Sequence, residues 1–405
     1  METVDLLITN ASELLTLKGP QTPRVKAQMG KLGIIRNGSV AVQNGCIVDV
    51  GKNLRYKADA IIDASGKVVI PGFVDPHTHV VFAGSREFEL DLKLAGISYM
   101  EILKRGGGIY YTVNETRKAS FGRLLQQAKT RLDTMLSYGT TTCEAKTGYG
   151  LETATELKML KVQKKLQETH PMDISSTFLG AHAVPKDLTA EEYVRTVIDE
   201  MLPKTKGLAR FCDVFCEKGV FTIAQSRRIL DAGKRYGLIA KLHADEIVDT
   251  GGASLAAMVG AISADHLLMS SEQGLKEMAK TGVIGVLLPG TPFCLMQQRY
   301  ASARKIIEVG VPVALGTDLN PNCWTENMQF IIQLACLNMH MAAAEAITAA
   351  TFNAACAIGL QNTVGSLEPG KQADLLILNC PNHQFIPYHY GVNLIETVIK
   401  KGRVL

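Results

Sequence analysis

The chain has 405 residues, 46% of them hydrophobic and 20% charged, with a net charge of +4. This is the composition of a protein with a sizeable core, long enough for one large domain and a smaller one. The surplus positive charge forms no dense basic patch interleaved with aromatics, and the longest apolar runs are of strand length, so neither nucleic acid nor a membrane is expected as a partner. METVDLLITNAS carries no basic stretch followed by a long apolar run, so no secretory leader is expected. The nine cysteines include no CxxC pair. Cys212 and Cys216, four apart on one strand face, read as buried free thiols of a reducing, cytoplasmic protein.

In chain order, the first seventy residues read as short strands. DLLITN comes first, then GSVAVQNGCIVDVG with a hairpin turn at Asn44-Gly45, then AIIDASGKVVI. The C-terminal ADLLILN and LIETVIKKGRVL, with a turn at Lys401-Gly402, read the same way. Residues 1–70 and 356–405 are therefore expected to pair into one small β domain. Between them, at 71–355, strand-length apolar runs alternate with helical patterns: GFVDPHTH, TTCEAKTG, STFLGAHAV, CDVFCE, AKLHADE, ISADHLL, GVIGVLLPG and VPVALGTD. Ser120 to Tyr138 has apolar residues at helical spacing and a stop at Gly139. Thr189 with Glu192, and Thr222 with Gln225, have capping-box spacing, and Gly237 ends the second helix. Strand–helix alternation means a parallel sheet. Eight strands predict an α/β fold with a (β/α)8, TIM-like barrel. A doubly wound open sheet is the alternative, but no glycine-rich nucleotide loop follows the first strand. Gly106-Gly107-Gly108 is read as a flexible loop over the barrel mouth.

Strand C-termini form the functional face of a barrel, and the polar residues gather there. The runs end in His77 and His79, Glu144 and Lys146, His182, Glu217, His243 with Glu246, His266, and Asp318 with Asn320. Each alone has a structural explanation, as a core histidine, a helix-capping aspartate or a solvated cation. Five of the nine histidines in this one set are the signal, whereas His340, between Met339 and Met341, reads as packing. His77 and His79, at i and i+2, project together. Neutral imidazoles bind zinc, iron or manganese. His243 and Asp318 would complete a site that leaves a position for water. Such an ion lowers the pKa of water toward neutrality. Glu246 would then move protons between water and a leaving nitrogen, and His266 would orient the water or stabilise an oxyanion.

VIPGFVDPHTH, LHADE, ADH, GTDLNP and GSLEPGKQADLLIL resemble the amidohydrolase superfamily. PHTHVVFAGSREFEL, SYMEILKRGGGIYYTVNETR, EAKTGYGLE, FLGAHAVP and DVFCEKGVF narrow the resemblance to the imidazolonepropionase family. That resemblance implies hydrolysis of 4-imidazolone-5-propanoate to N-formimidoyl-L-glutamate, in histidine degradation, with one zinc or iron ion per chain. It implies His77, His79, His243 and Asp318 as ligands and Glu246 and His266 as the catalytic pair; in the expected mechanism Asp318 is also a candidate proton acceptor, a role the sequence does not separate from ligation. Arg86, Tyr149, His182, Glu246 and Asn320 are the implied substrate contacts, with Arg86 suited to bidentate capture of the propionate. Asn322 and Cys323 stand where the family's pattern has Gly-Ser, which exchanges a hydroxyl for a weaker hydrogen-bonding thiol. The resemblance and the methionine-rich segment near 339 imply a homodimer. Three rivals stay open: a ring deaminase, a non-catalytic protein on the same fold, and a two-metal site bridged by a carboxylated Lys146.

Overall fold

The computed structural model describes residues 2–97 and 99–405; Met1 and Ser98, the first residue of one family-like string, lie outside it. The eight expected apolar runs form one parallel sheet in sequential order: β1 (Phe73–Asp75), β2 (Thr140–Lys146), β3 (Asp173–Ala181), β4 (Phe211–Cys216), β5 (Ile239–Ala244), β6 (Ser263–His266), β7 (Ile284–Leu287) and β8 (Val313–Leu315). The sheet closes just past the ends of β1 and β8. Thr78 and Leu319 form a parallel bridge, His79 N–H donates to the Leu319 carbonyl at 2.8 Å, and Asp318 N–H donates to the His77 carbonyl at 3.0 Å. The strands are buried almost throughout, as expected where helices cover a closed sheet.

The helix signals read from the sequence are used as expected. Ser120 Oγ accepts from Arg123 N–H and opens the helix Phe121–Ser137. Thr189 and Thr222 form capping boxes with Glu192 and Gln225. The glycine run differs from its reading as a free loop. It is a turn between the helices Tyr99–Lys104 and Ile109–Lys118, and Gly108 N–H donates to buried Glu89 at 2.6 Å. His340 also differs: it is exposed, and ends the helix Met328–Met339 in the left-handed conformation at φ 57°.

The two chain ends interleave. Leu375–Leu378 pairs antiparallel with Val68–Pro71, inside a six-stranded sheet that also holds Glu13–Leu15, Ile34–Ile35, Ile395–Lys400 and Arg403–Val404. The run AIIDASGKVVI is shared between two sheets. Lys57–Asp63 joins the four-stranded sheet with Thr3–Ala11 and the hairpin Gly38–Gln43/Cys46–Lys52, whereas Val68–Pro71 joins the six-stranded one. Ile8, Val40, Val69, Leu375 and Ile399 fill the space between them. An ion-pair knot, buried at Lys400 and Asp374 and open to solvent at Lys401, ties this unit to the base of β3. Lys400 Nζ lies 2.6 Å from Asp374 and 2.7 Å from Asp173, and Lys401 reaches the other Asp173 oxygen at 2.7 Å. Among the described residues no helix is long and apolar enough to cross a membrane, and all nine cysteines are free.

Candidate functional site

His77 and His79 follow β1 in extended backbone held by the closing bridge, and His243 lies within β5. Ligand atoms of these three buried histidines all lie within 4.8 Å of one another. Asp318, on the strand-eight side of the closure, places Oδ1 3.5 Å from His77 Nε2 and 3.6 Å from His79 Nε2. Its other oxygen accepts from Thr291 Oγ1 at 2.5 Å.

Each ring has its own support. His77 Nδ1 lies 2.6 Å from Asp265 Oδ2, and His243 Nδ1 lies 3.0 Å from Asp213 Oδ2. Asp265 thus occupies Nδ1 of His77, and Asp213 stands against Nδ1 of His243 while accepting from the His243 backbone N–H at 3.2 Å; carboxylates in such places are usual behind a metal-binding imidazole. Burial, with Lys146 and the other imidazoles adding to it, holds the His77 pKa well below its ordinary value. Burial and His182 do the same for His79. Both rings are therefore neutral at physiological pH. His77 Nε2 is buried without a hydrogen-bond partner among the described residues. An unpartnered ring nitrogen among three imidazoles and a carboxylate fits a divalent ion of the zinc or iron kind.

Glu246 Oε2 stands 3.6 Å from His266 Nε2. Burial and the nearby Glu217 push the Glu246 carboxyl up to about 7, against the pull of His243. Burial takes His266 down to about 4, so it is a neutral ring. His266 and Asp318 are non-glycine residues with φ 76° and φ 52°. Left-handed backbone of this kind costs roughly 1–3 kcal/mol per residue and concentrates where side chains must be aimed.

The expected substrate contacts fall into two groups. Tyr149 and His182 gather at His79: the His79 and His182 rings stack with centroids 5.0 Å apart, and Tyr149 is 5.5 Å from His79 and 5.3 Å from His182. Gly148, at φ 106°, lets the His182 ring lie against its backbone and meet its carbonyl at 3.1 Å. The second group lies across the loop after β8. Arg86 is buried and paired bidentately with Glu89, Nε to Oε1 at 2.8 Å and the terminal nitrogen to Oε2 at 2.7 Å; that nitrogen is 3.5 Å from Asn322 Oδ1. Asn320 Oδ1 accepts from the N–H groups of Asn322 and Cys323, at 2.8 and 3.0 Å, and so shapes the loop. Cys323 is buried, and its thiol is turned to the Thr317 carbonyl at 3.7 Å.

Sequence reasoning passed over Asp213, Asp265, Thr291 and Glu89, which orient the residues it named. Asp213 and Asp265 were visible as carboxylates inside apolar strands, in CDVFC and SADH. Lys146, considered for a two-metal site, has no solvent exposure and lies among Glu144, Asp213 and Asp265. Burial would lower its pKa, but the three carboxylates outweigh it and hold the amine as an ammonium. Carboxylation needs the neutral amine, so this environment opposes it.

The sequence matches the amidohydrolase family over residues 68–405. Imidazolonepropionase of Geobacillus kaustophilus is 56% identical over 414 residues, covering 99% of this chain and 97% of that protein. Imidazolonepropionase of Alkaliphilus metalliredigens is 52% identical over 413 residues, with 99% and 98% covered. Solved structures share the fold at low identity. A triazine hydrolase variant aligns with TM-score 0.75 at 15% identity, covering 99% of this chain and 94% of that one. Guanine deaminase of E. coli aligns with TM-score 0.72 at 16% identity, covering 98% of each. With a family match that takes in the whole barrel and relatives more than half identical along their full length, the chain belongs to the amidohydrolase family, within the group of the imidazolonepropionases.

Proposed function

We propose that the protein hydrolyses the cyclic amide of 4-imidazolone-5-propanoate to N-formimidoyl-L-glutamate, the third step of histidine degradation, as a cytoplasmic homodimer with one zinc or iron ion per chain. The barrel of residues 71–355 carries the reaction, and the β-sandwich of residues 1–70 and 356–405 supports it. The observation that carries this reading is the full-length similarity to imidazolonepropionases. The single barrel mouth that gathers the histidine trio, the Glu246–His266 pair and Tyr149 with His182 agrees with it.

His77, His79, His243 and Asp318 would hold the ion, which supplies Lewis acidity for the ring carbonyl and brings the pKa of water toward neutrality. Glu246, with a carboxyl near pH 7, takes a proton from the attacking water and delivers it to the ring nitrogen as the C–N bond breaks. One C–O bond forms, one C–N bond breaks, and both nitrogens stay in the product. His266 stays neutral and stabilises the developing oxyanion; Asp318 accepts a proton as well as ligating. Arg86, aimed by Glu89, receives the propionate carboxylate, with Asn320, Asn322 and Cys323 forming the adjoining wall. Tyr149 and His182 position the ring beside His79.

The test is the product mass from freshly generated imidazolonepropanoate. Gain of one water with all nitrogens kept is expected. Conversion with ammonia released would replace this reading by a deaminase, and no conversion by metal-loaded protein would remove the substrate assignment.

A further inference from the structure

The interior of the barrel below the histidines holds a cluster of charges in which every member is fully buried: Glu144 and Lys146 on β2, Asp213 on β4, Lys241 on β5 and Asp265 on β6. Lys146 Nζ lies 2.7 Å from Asp213 Oδ2, 2.9 Å from Glu144 Oε2 and 3.5 Å from Asp265 Oδ2. Two of these oxygens are the very atoms that lie against the rings of proposed ligands. Asp213 Oδ2 is the one 3.0 Å from His243 Nδ1, and Asp265 Oδ2 the one 2.6 Å from His77 Nδ1. One ammonium thus stands between two carboxylate–imidazole pairs from different strands.

We infer that Lys146 is a positioning residue of the metal centre, which sets His77 and His243 together by fixing the two carboxylates that orient them. The inference rests on the reading of His77, His79 and His243 as metal ligands. Three buried carboxylates repel one another strongly in a medium of low dielectric. Removing the ammonium splays Asp213 and Asp265, and each carries its imidazole with it. A purely structural role accounts poorly for the arrangement, because a buried ion pair seldom stabilises a core more than apolar side chains of the same volume. The second buried lysine shares Glu144 but is paired with neither carboxylate that faces an imidazole: Lys241 Nζ meets the Pro76 carbonyl at 3.1 Å and Glu144 Oε1 at 3.3 Å. His79 is outside the arrangement, because among the described residues no carboxylate lies against its Nδ1, whereas Asp213 stands 3.0 Å from Nδ1 of His243.

The experiment measures zinc affinity by competition with a chromophoric chelator, and records the cobalt(II) absorption spectrum, for wild-type protein and a Lys146→Met variant whose folding is checked by circular dichroism. Affinity about 10–100-fold weaker, as expected for loss of an outer-shell support, together with a changed cobalt spectrum, is the expected result. A lower melting temperature with zinc affinity within about twofold of wild type and an unchanged cobalt spectrum would overturn the inference. Wild-type protein that binds no zinc would instead overturn the metal-site reading on which it rests. Should Lys146→Met fail to fold, Asp213→Asn, Asp265→Asn and the double variant decide. Coupling through Lys146 makes the loss in the double variant smaller than the product of the single losses; strictly multiplicative losses would refute it.

Discussion

Glu246 and His266 face each other across 3.6 Å although one lies in a loop and the other ends a strand. The left-handed backbone at Asp245 and at His266 turns both side chains toward the histidine trio. Glu246→Gln keeps the shape and removes the base. Metal content is expected to stay at the wild-type level, while kcat falls by about 10²–10⁴-fold, the usual contribution of a general base. Turnover near the wild-type rate would take Glu246 out of the mechanism.

The same carboxyl sets a pH dependence. Its raised pKa of about 7 means that it is protonated, and unable to accept a proton, on the acid side. The rate kcat/KM is expected to rise with pH through an acid limb at or below about 7, because a bound cation's charge pulls the value downward. A profile flat from pH 5 to 8 would contradict this assignment.

Glu89 is the partner that aims Arg86. Glu89→Gln weakens charge-assisted hydrogen bonds worth about 1.5–3 kcal/mol. KM for the substrate should rise by roughly 10–100-fold, with kcat much less affected. An unchanged KM would remove Arg86 from carboxylate binding.

Metal loading should be visible in stability. Chelation leaves a buried ring nitrogen, His77 Nε2, without a partner, and an ion at 100 times its Kd adds about 2.7 kcal/mol to the folded state. Thermal unfolding is expected at a lower temperature after exhaustive chelation and at the original one after zinc is restored. Identical curves would mean that the site holds no ion tightly.

The Lys400 knot makes a prediction about the fold alone. Lys400→Met leaves buried Asp374 without its cation, while Asp173 keeps Lys401, and loss of one member of a buried pair costs about 3–5 kcal/mol. Burial would raise the Asp173 pKa, but Lys400 and Lys401 hold it below the ordinary carboxylate value. Its contribution is therefore complete above about pH 4 and is lost as pH falls through the depressed value. Urea unfolding of wild type and variant between pH 2 and 6 checks both the size and the direction; equal stability at pH 6 would exclude the knot as a contributor.

The sequence made the barrel legible because each strand is an apolar run bounded by helical periodicity, and that local signal survives folding. The histidines were legible for the same reason, since ending a strand fixes where a side chain goes. What supports them was not. Asp213 and Asp265 act across strands: the register of β4 beside β5 brings Asp213 to His243, whereas Asp265 on β6 reaches His77, beyond the end of β1, through the barrel interior. The sharing of AIIDASGKVVI between two sheets was hidden because Ala64–Lys67 looks like an ordinary hairpin turn, and the partner of Val68–Pro71 is three hundred residues away. Gly106-Gly107-Gly108 read as loose because Glu89, which pins Gly108, is remote in sequence.

The barrel's closure has one further consequence. The backbone that joins its first and last strands belongs to His77, Thr78 and His79 on one side and Asp318 and Leu319 on the other. Three of the four proposed ligands, His77, His79 and Asp318, thus lie on the seam itself. A chain that folded seven strands correctly and left the sheet open would have no place for an ion. An ion held by these residues would therefore bind only where the two distant ends of the sheet have met in this alignment.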